Sequence, residues 1–251
     1  MFLHAERRGA GPPLVLVHGF TQTRRCWGPE ADALAADHEV VLVDAPGHGG
    51  SADIIAGLRT GGRLIADQGG EATYLGYSMG ARFCLHIALT NPELVRGLVL
   101  LGGTAGIEDP VEREQRRQQD LATADRLERD GLARFLDDWL AQPLFARLPP
   151  ERAFRSERLE NSIPGLRSSL EHAGTGAQDP AWHKLHRLDM PVLVLAGAED
   201  AKFAALAGRM ADEIGDNATL ALVEGAGHAA HLEQPERFVG IVRPWLAGHG
   251  L

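Results

Sequence analysis

Gly76-Tyr77-Ser78-Met79-Gly80-Ala81-Arg82 sets a serine between two glycines, after the apolar run Ala72–Leu75 and before Phe83–Leu89. A serine there packs poorly and opens no capping box. Glycines two positions to either side imply a backbone that turns too sharply for a side chain at those points. Such a turn pushes the hydroxyl outward. The flanking runs predict a strand before it and a helix after it, the context in which G-x-S-x-G has chemical meaning.

Working outward, short apolar runs recur at 14–17, 40–43, 73–76, 98–101, 192–196 and 220–223. Each is unbroken rather than alternating, the pattern of parallel strands buried on both faces. Helical patterns fall between them at 27–36, 52–67, 79–90, 201–214 and 235–247, with Pro235 suited to a first turn and Gly215 to a helix end. The alternation predicts an α/β fold, a mostly parallel sheet flanked by helices.

One stretch breaks the rhythm. Residues 106–176 hold no strand candidate and are rich in charged helical sequence, with Trp139 and Phe145 as buried-type aromatics. We read this as a helical cap over the carboxyl ends of the strands, where open α/β sheets bind ligands. The core is then 1–105 and 177–251.

The 251 residues are 44% hydrophobic with net charge −9. That is ample for a core, and it argues against a nucleic-acid partner, because phosphate binding needs a basic surface. No apolar run approaches the roughly 18 residues needed to span a bilayer. The N-terminal residues lack the apolar core of a secretory signal. With only Cys26 and Cys84 in separate elements, a reduced, cytoplasmic setting is expected and no membrane partner.

A serine hydroxyl needs a general base to react. The strand 192–196 leads into Gly197-Ala198-Glu199-Asp200, and the strand 220–223 leads into Glu224-Gly225-Ala226-Gly227-His228. Asp200 is preferred over Glu199, because it can also cap the following helix. His228 is preferred over His231, because it follows the strand end directly. Ser78, Asp200 and His228 are thus the candidate catalytic residues. Backbone N–H groups of Phe20, after the strand 14–17, and of Met79 are candidate oxyanion donors. His18 is read as structural, and the glycines of Asp44-Ala45-Pro46-Gly47-His48-Gly49-Gly50-Ser51 as backbone geometry. No cofactor and no metal are called for.

These motifs give the chain a resemblance to the α/β-hydrolase fold over essentially its whole length. His18-Gly19-Phe20, 44–51, 76–82, Asp137–Phe145, Arg158–Ser162, Gly174–Gln178 and Asp200–Phe203 together resemble the family of 2-succinyl-6-hydroxy-2,4-cyclohexadiene-1-carboxylate synthases of menaquinone biosynthesis. The resemblance implies a lyase that removes a ring proton from 2-succinyl-5-enolpyruvyl-6-hydroxy-3-cyclohexene-1-carboxylate and eliminates pyruvate. Ser78 would be the base, no covalent intermediate would form, and the oxyanion donors would hold an enolate. Three substrate carboxylates would require arginines, whose planar forks suit them. Arg82 lies one turn beyond Ser78, and Arg113, Arg116 and Arg117 can share a helix face. By the resemblance, Arg116 and Arg158 are the cap's ligand arginines, with Arg82, Tyr77 and Trp139 beside them at the substrate. Trp139 could equally hold the cap down. Arg116 and Asp120 could equally form a surface pair of little worth.

The triad alone also allows a serine hydrolase of esters or carbon–carbon bonds, and a binding protein on an inactive scaffold is the remaining class. Oligomeric state is not legible in the sequence.

Overall fold

The computed structural model describes residues 2–251. Among these described residues seven strands form one sheet: β1 (Ala5–Arg8), β2 (Pro13–Val17), β3 (Glu39–Val43), β4 (Ala72–Tyr77), β5 (Val95–Leu101), β6 (Val192–Gly197) and β7 (Ala218–Val223). Their order is β1-β3-β2-β4-β5-β6-β7, with β1 antiparallel to β3 and every other pair parallel. Around it stand α1 (Gly28–Ala35), α2 (Leu58–Gly69) and α3 (Met79–Thr90). After β5 come α4 (Pro110–Asp130), α5 (Leu132–Leu140), α6 (Arg155–Arg158) and α7 (Ile163–Ala173), then α8 (Ala201–Ile214), α9 (Ala230–Glu233) and α10 (Pro235–His249).

The central strands are apolar throughout because helices cover both faces. Leu14, Leu16, Leu75, Val99 and Leu193 face one core cluster, Val15, Val17, Tyr74, Leu98 and Val194 the other. Three sequence expectations need correction. Ala5-Glu6-Arg7-Arg8 forms an edge strand that no apolar run announces; charged edges of this kind discourage pairing with other chains. The run 220–223 forms β7, but as the opposite edge, so Leu220 and Leu222 remain 44% and 40% exposed instead of buried on both faces. The helix expected over 52–67 begins only at Leu58, after a 3₁₀ turn at 49–51 and a non-helical stretch that ends in the extended N-cap Gly57.

Between β5 and β6 no strand intervenes, and α4–α7 form a helical layer. Leu127, Phe135 and Leu166 make its small core, against which Phe20 and Trp139 pack. Ion pairs tie this layer to the sheet's own helices and loops: Arg147 to Glu199 at 2.9 Å and Arg152 to buried Glu30. Cys26 and Cys84 are buried and unpaired. Among the described residues no helix is long and apolar enough to cross a membrane.

Candidate active site

Ser78 ends β4 and caps α3 with φ 52° and ψ −106°, a conformation rarely adopted by a residue with a side chain. Its neighbours explain the glycines. A Cβ on Gly76 would run into the backbone of Gly80, and one on Gly80 into the carbonyl of Val17. The Ser78 N–H donates to the Leu101 carbonyl at 2.8 Å, fastening the turn to β5. The strain is thus held by two strands, and the hydroxyl faces outward.

His228 Nε2 lies 3.1 Å from Ser78 Oγ, and His228 Nδ1 lies 2.9 Å from Asp200 Oδ2. Asp200 also caps α8, its Oδ1 accepting from the Phe203 N–H at 3.2 Å. Partial burial works to raise the Asp200 pKa, but the His228 and Phe203 hydrogen bonds outweigh it and hold the carboxyl below its usual range. The aspartate is therefore an anion at neutral pH, and it fixes the imidazole with Nδ1–H toward itself and Nε2 toward the serine. Glu199 points away to Arg147. His231 is fully buried among Trp27, Tyr77 and Phe238 with neither ring nitrogen partnered, and burial pushes its pKa well down.

The loop that carries His228 is clamped by a residue the sequence did not single out. The Glu233 carboxylate accepts from the Gly227 N–H and, at 2.9 Å, from the Ala229 N–H. Phe203 was missed as well; its ring packs 4.4 Å from that of His228. Its place in the first turn after Asp200 was the available signal.

On the other side of the serine, the turn 19–22 closes through the Gly19 N–H to Gln22 Oε1 at 3.0 Å and the Gln22 N–H to the Gly19 carbonyl at 3.2 Å. It leaves the Phe20 N–H without an acceptor among the described residues, as the first turn of α3 leaves that of Met79. His18 bridges this turn to β3: its Nε2 accepts from the Ala45 N–H at 3.1 Å, so Nδ1–H donates to the Gly19 carbonyl at 2.8 Å. Asp44 anchors the glycine turn after β3 by accepting from the Arg24 and Gly50 N–H groups.

Above Ser78 opens a cleft of about 830 Å³ between the sheet and the helical layer. Phe20, Ser78, Met79 and His228 form its floor, and Arg82, Arg116 and Trp139 line its walls. Arg82 is buried, with one Nη donating to the Ala173 carbonyl at 2.8 Å. Burial first, and then the nearby Arg116, push its pKa down to about 10, so it remains a cation at neutral pH. Arg116 Nε donates to Asp120 Oδ1 at 2.8 Å, while Asp120 Oδ2 accepts from the Gly176 N–H at 3.0 Å. Asp120 is buried, so this is an oriented pair and not the loose surface pair that sequence alone allows. Arg113 is spent on the Ile107 carbonyl, and Arg117 is exposed. Trp139 does both things expected of it: it lines the cleft and packs edge-on against Phe20 and stacked on Phe135.

Two expected cleft residues are elsewhere. Arg158 is fully buried on α6, with Nε on the Ala153 carbonyl and Nη1 on Thr21 Oγ1. Tyr77 is buried behind the triad, its ring against those of His228 and His231. Neither lines the cleft. The reason for Tyr77 is β-strand alternation, which turns it to the face opposite Leu75's successor Gly76. Arg158 is held inward by the Ala153 carbonyl and by the hydroxyl of Thr21, which sits in its turn at φ 66°.

Comparison with known proteins adds to this geometry. Residues 14–241 match the Alpha/beta hydrolase family. The 2-succinyl-6-hydroxy-2,4-cyclohexadiene-1-carboxylate synthase of Klebsiella pneumoniae is 34% identical, over 94% of this chain and 94% of its own. The solved structure of MenH from S. aureus superposes with a TM-score of 0.92 at 29% identity, covering 99% of both chains. A thermophilic esterase from Thermogutta terrifontis superposes at 0.83 with 25% identity, covering 98% of this chain and 93% of the other.

Proposed function

Because the chain belongs to the alpha/beta hydrolase family, and within it to the family of 2-succinyl-6-hydroxy-2,4-cyclohexadiene-1-carboxylate synthases, we propose that it is a carbon–oxygen lyase of menaquinone biosynthesis. It eliminates pyruvate from 2-succinyl-5-enolpyruvyl-6-hydroxy-3-cyclohexene-1-carboxylate. The observation that carries this assignment is the pair of cationic forks, Arg82 and Arg116, in the walls of the cleft over Ser78. A pocket for neutral esters would be mainly apolar.

In this mechanism Ser78 Oγ takes the ring proton next to the succinyl ketone while His228 Nε2 takes the hydroxyl proton. The C–H electrons form an enolate whose oxygen is held by the Phe20 and Met79 N–H groups. The ring double bond shifts, the carbon–oxygen bond to the enolpyruvyl group breaks, and the released enolpyruvate becomes pyruvate. Asp200 steadies the transient imidazolium. Arg82 and Arg116 fix two substrate carboxylates, Trp139 covers the ring, and residues 106–176 act as the cap. Tyr77 and Arg158 support this arrangement from behind, the first against His228 and the second at the turn that presents Phe20.

The test is incubation with the enolpyruvyl substrate under continuous detection of pyruvate, beside short p-nitrophenyl esters. Pyruvate release with kcat/KM orders of magnitude above that for the esters is the expected result. Ester turnover without pyruvate would instead establish a serine hydrolase, which the likeness to the esterase and the shared triad favour as the second reading.

A further inference from the structure

The cleft contains four cations: Arg82, Arg116, Lys202 and Arg209. Three have partners. Arg82 donates to Ala173 and Arg116 to Asp120. Arg209 forms a two-point pair with Glu108 and lies 3.8 Å above the Trp182 ring. Lys202 is exposed and makes no ion pair or hydrogen bond among the described residues.

Its position is also electrostatically unfavourable for the fold. Lys202 sits in the first turn of α8, where the helix dipole opposes a cation. Its neighbours one turn on, Ala205 and Leu206, carry no carboxylate, Glu199 is held by Arg147, and the nearby Asp200 is engaged by His228 and the Phe203 N–H. Yet its ammonium is close to the chemistry. Lys202 Nζ lies 5.6 Å from the centre of the Phe203 ring, which lies 4.4 Å from that of His228, so the ammonium is within about 10 Å of the imidazole. A cation in a helix first turn that makes no hydrogen bond or ion pair among the described residues, rests only over the Phe203 ring and lines the reaction cleft is suited to an anionic group of the substrate.

We propose that Lys202 binds a carboxylate of the substrate, the third beside those taken by Arg82 and Arg116. The inference rests on the lyase assignment above, whose substrate carries three carboxylates, while Arg158, the residue expected to meet the third, is buried with Nε on the Ala153 carbonyl and Nη1 on Thr21 Oγ1 and does not line the cleft. A flexible, strongly hydrated ammonium fits a group that must enter or leave at the mouth of a cleft better than a rigid fork does.

The experiment is steady-state kinetics of Lys202→Met and Lys202→Arg with the enolpyruvyl substrate and with its three monomethyl esters, each lacking one negative charge. Lys202→Met is expected to lower kcat/KM about 10- to 100-fold, mainly through KM, with Lys202→Arg largely restored. The penalty is expected to vanish for one of the three monoesters, which identifies the carboxylate. Wild-type KM and kcat in Lys202→Met would overturn the proposal, and so would an equal penalty for all four substrates. Labelling of Ser78 by a small neutral phosphonate separates binding from damage to the triad. A loss of labelling in Lys202→Met would place the effect on neighbouring Asp200 and also overturn it. If the wild-type enzyme releases no pyruvate, the lyase assignment itself fails and takes this proposal with it. Failure in the variant alone leaves that assignment standing.

Discussion

Glu233 holds the backbone on both sides of His228: one carboxylate oxygen accepts from Gly227 and the other from Ala229. His228 therefore stands on a loop pinned from below. Such hydrogen bonds, made to a charged group and shielded from water, contribute roughly 1.5–3 kcal/mol each. Glu233→Ala is expected to lower kcat by about 10- to 100-fold while KM changes little. Glu233→Gln keeps one acceptor and should lose less. Steady-state kinetics, with circular dichroism to verify folding, decides this, and a wild-type kcat in Glu233→Ala would show that the loop holds itself.

The Ser78–His228–Asp200 chain should fail as a unit. Ser78→Ala and His228→Ala are each expected to abolish most of the pyruvate release, and the double variant to be hardly worse than either single one. Multiplying losses would mean that the two residues act independently, despite the 3.1 Å contact.

Arg82 and Arg116 should separate from Arg158 by what is lost. Arg82→Ala and Arg116→Ala are expected to cost about 10- to 150-fold in kcat/KM, with lysine restoring only part and a stability loss smaller than that of Arg158→Ala, because each gives up a single bond at the cleft wall. Arg158→Ala should lower stability by about 2–4 kcal/mol in urea unfolding, because it empties a buried site and strands the partners at Thr21 and Ala153. Equal stability of all three variants would return Arg158 to the substrate.

Buried neutral histidines set the acid limit. Burial lowers the pKa of His18, of His48 to about 3, and of His231 well below its ordinary 6.5. The unfolded chain accepts these protons near 6.5, while the folded chain takes each only at lower pH, at much lower pH for His48 and His231. Stability is therefore complete above about pH 6.5 and falls as pH drops below it, by up to about 1.4 kcal/mol per pH unit for each histidine. His231→Phe suits the aromatic surroundings and should remove one proton's share of that slope between pH 6 and 5. Urea unfolding at several pH values measures it, and an unchanged slope would mean that His231 takes up a proton in the folded state.

The sequence by itself determined the frame of this protein and the order of its catalytic groups. Gly76 and Gly80 announced the turn at Ser78 because only glycine tolerates the backbones that touch there. Asp200 and His228 were legible because each follows directly on a strand of recognisable apolar character. Parallel strands deliver their carboxyl ends to one edge, so chain order translates into proximity. What the sequence left undecided depends on contacts between segments far apart in the chain. Glu233 looks like any helical glutamate until its loop folds back over it. Nothing local to Arg158 announces that Thr21, 137 residues away, accepts from its guanidinium. Lys202 looks like any exposed lysine until the helical layer packs and makes it part of the cleft's lining. The edge strands β1 and β7 escaped or misled the apolar pattern, because that pattern reports burial on both faces and an edge is only partly buried. Local periodicity follows from hydrogen bonding and burial along one element. Which charge meets a distant partner is settled only when the helical layer and the sheet pack together, and that placed Arg82 on Ala173 and Arg158 on Thr21.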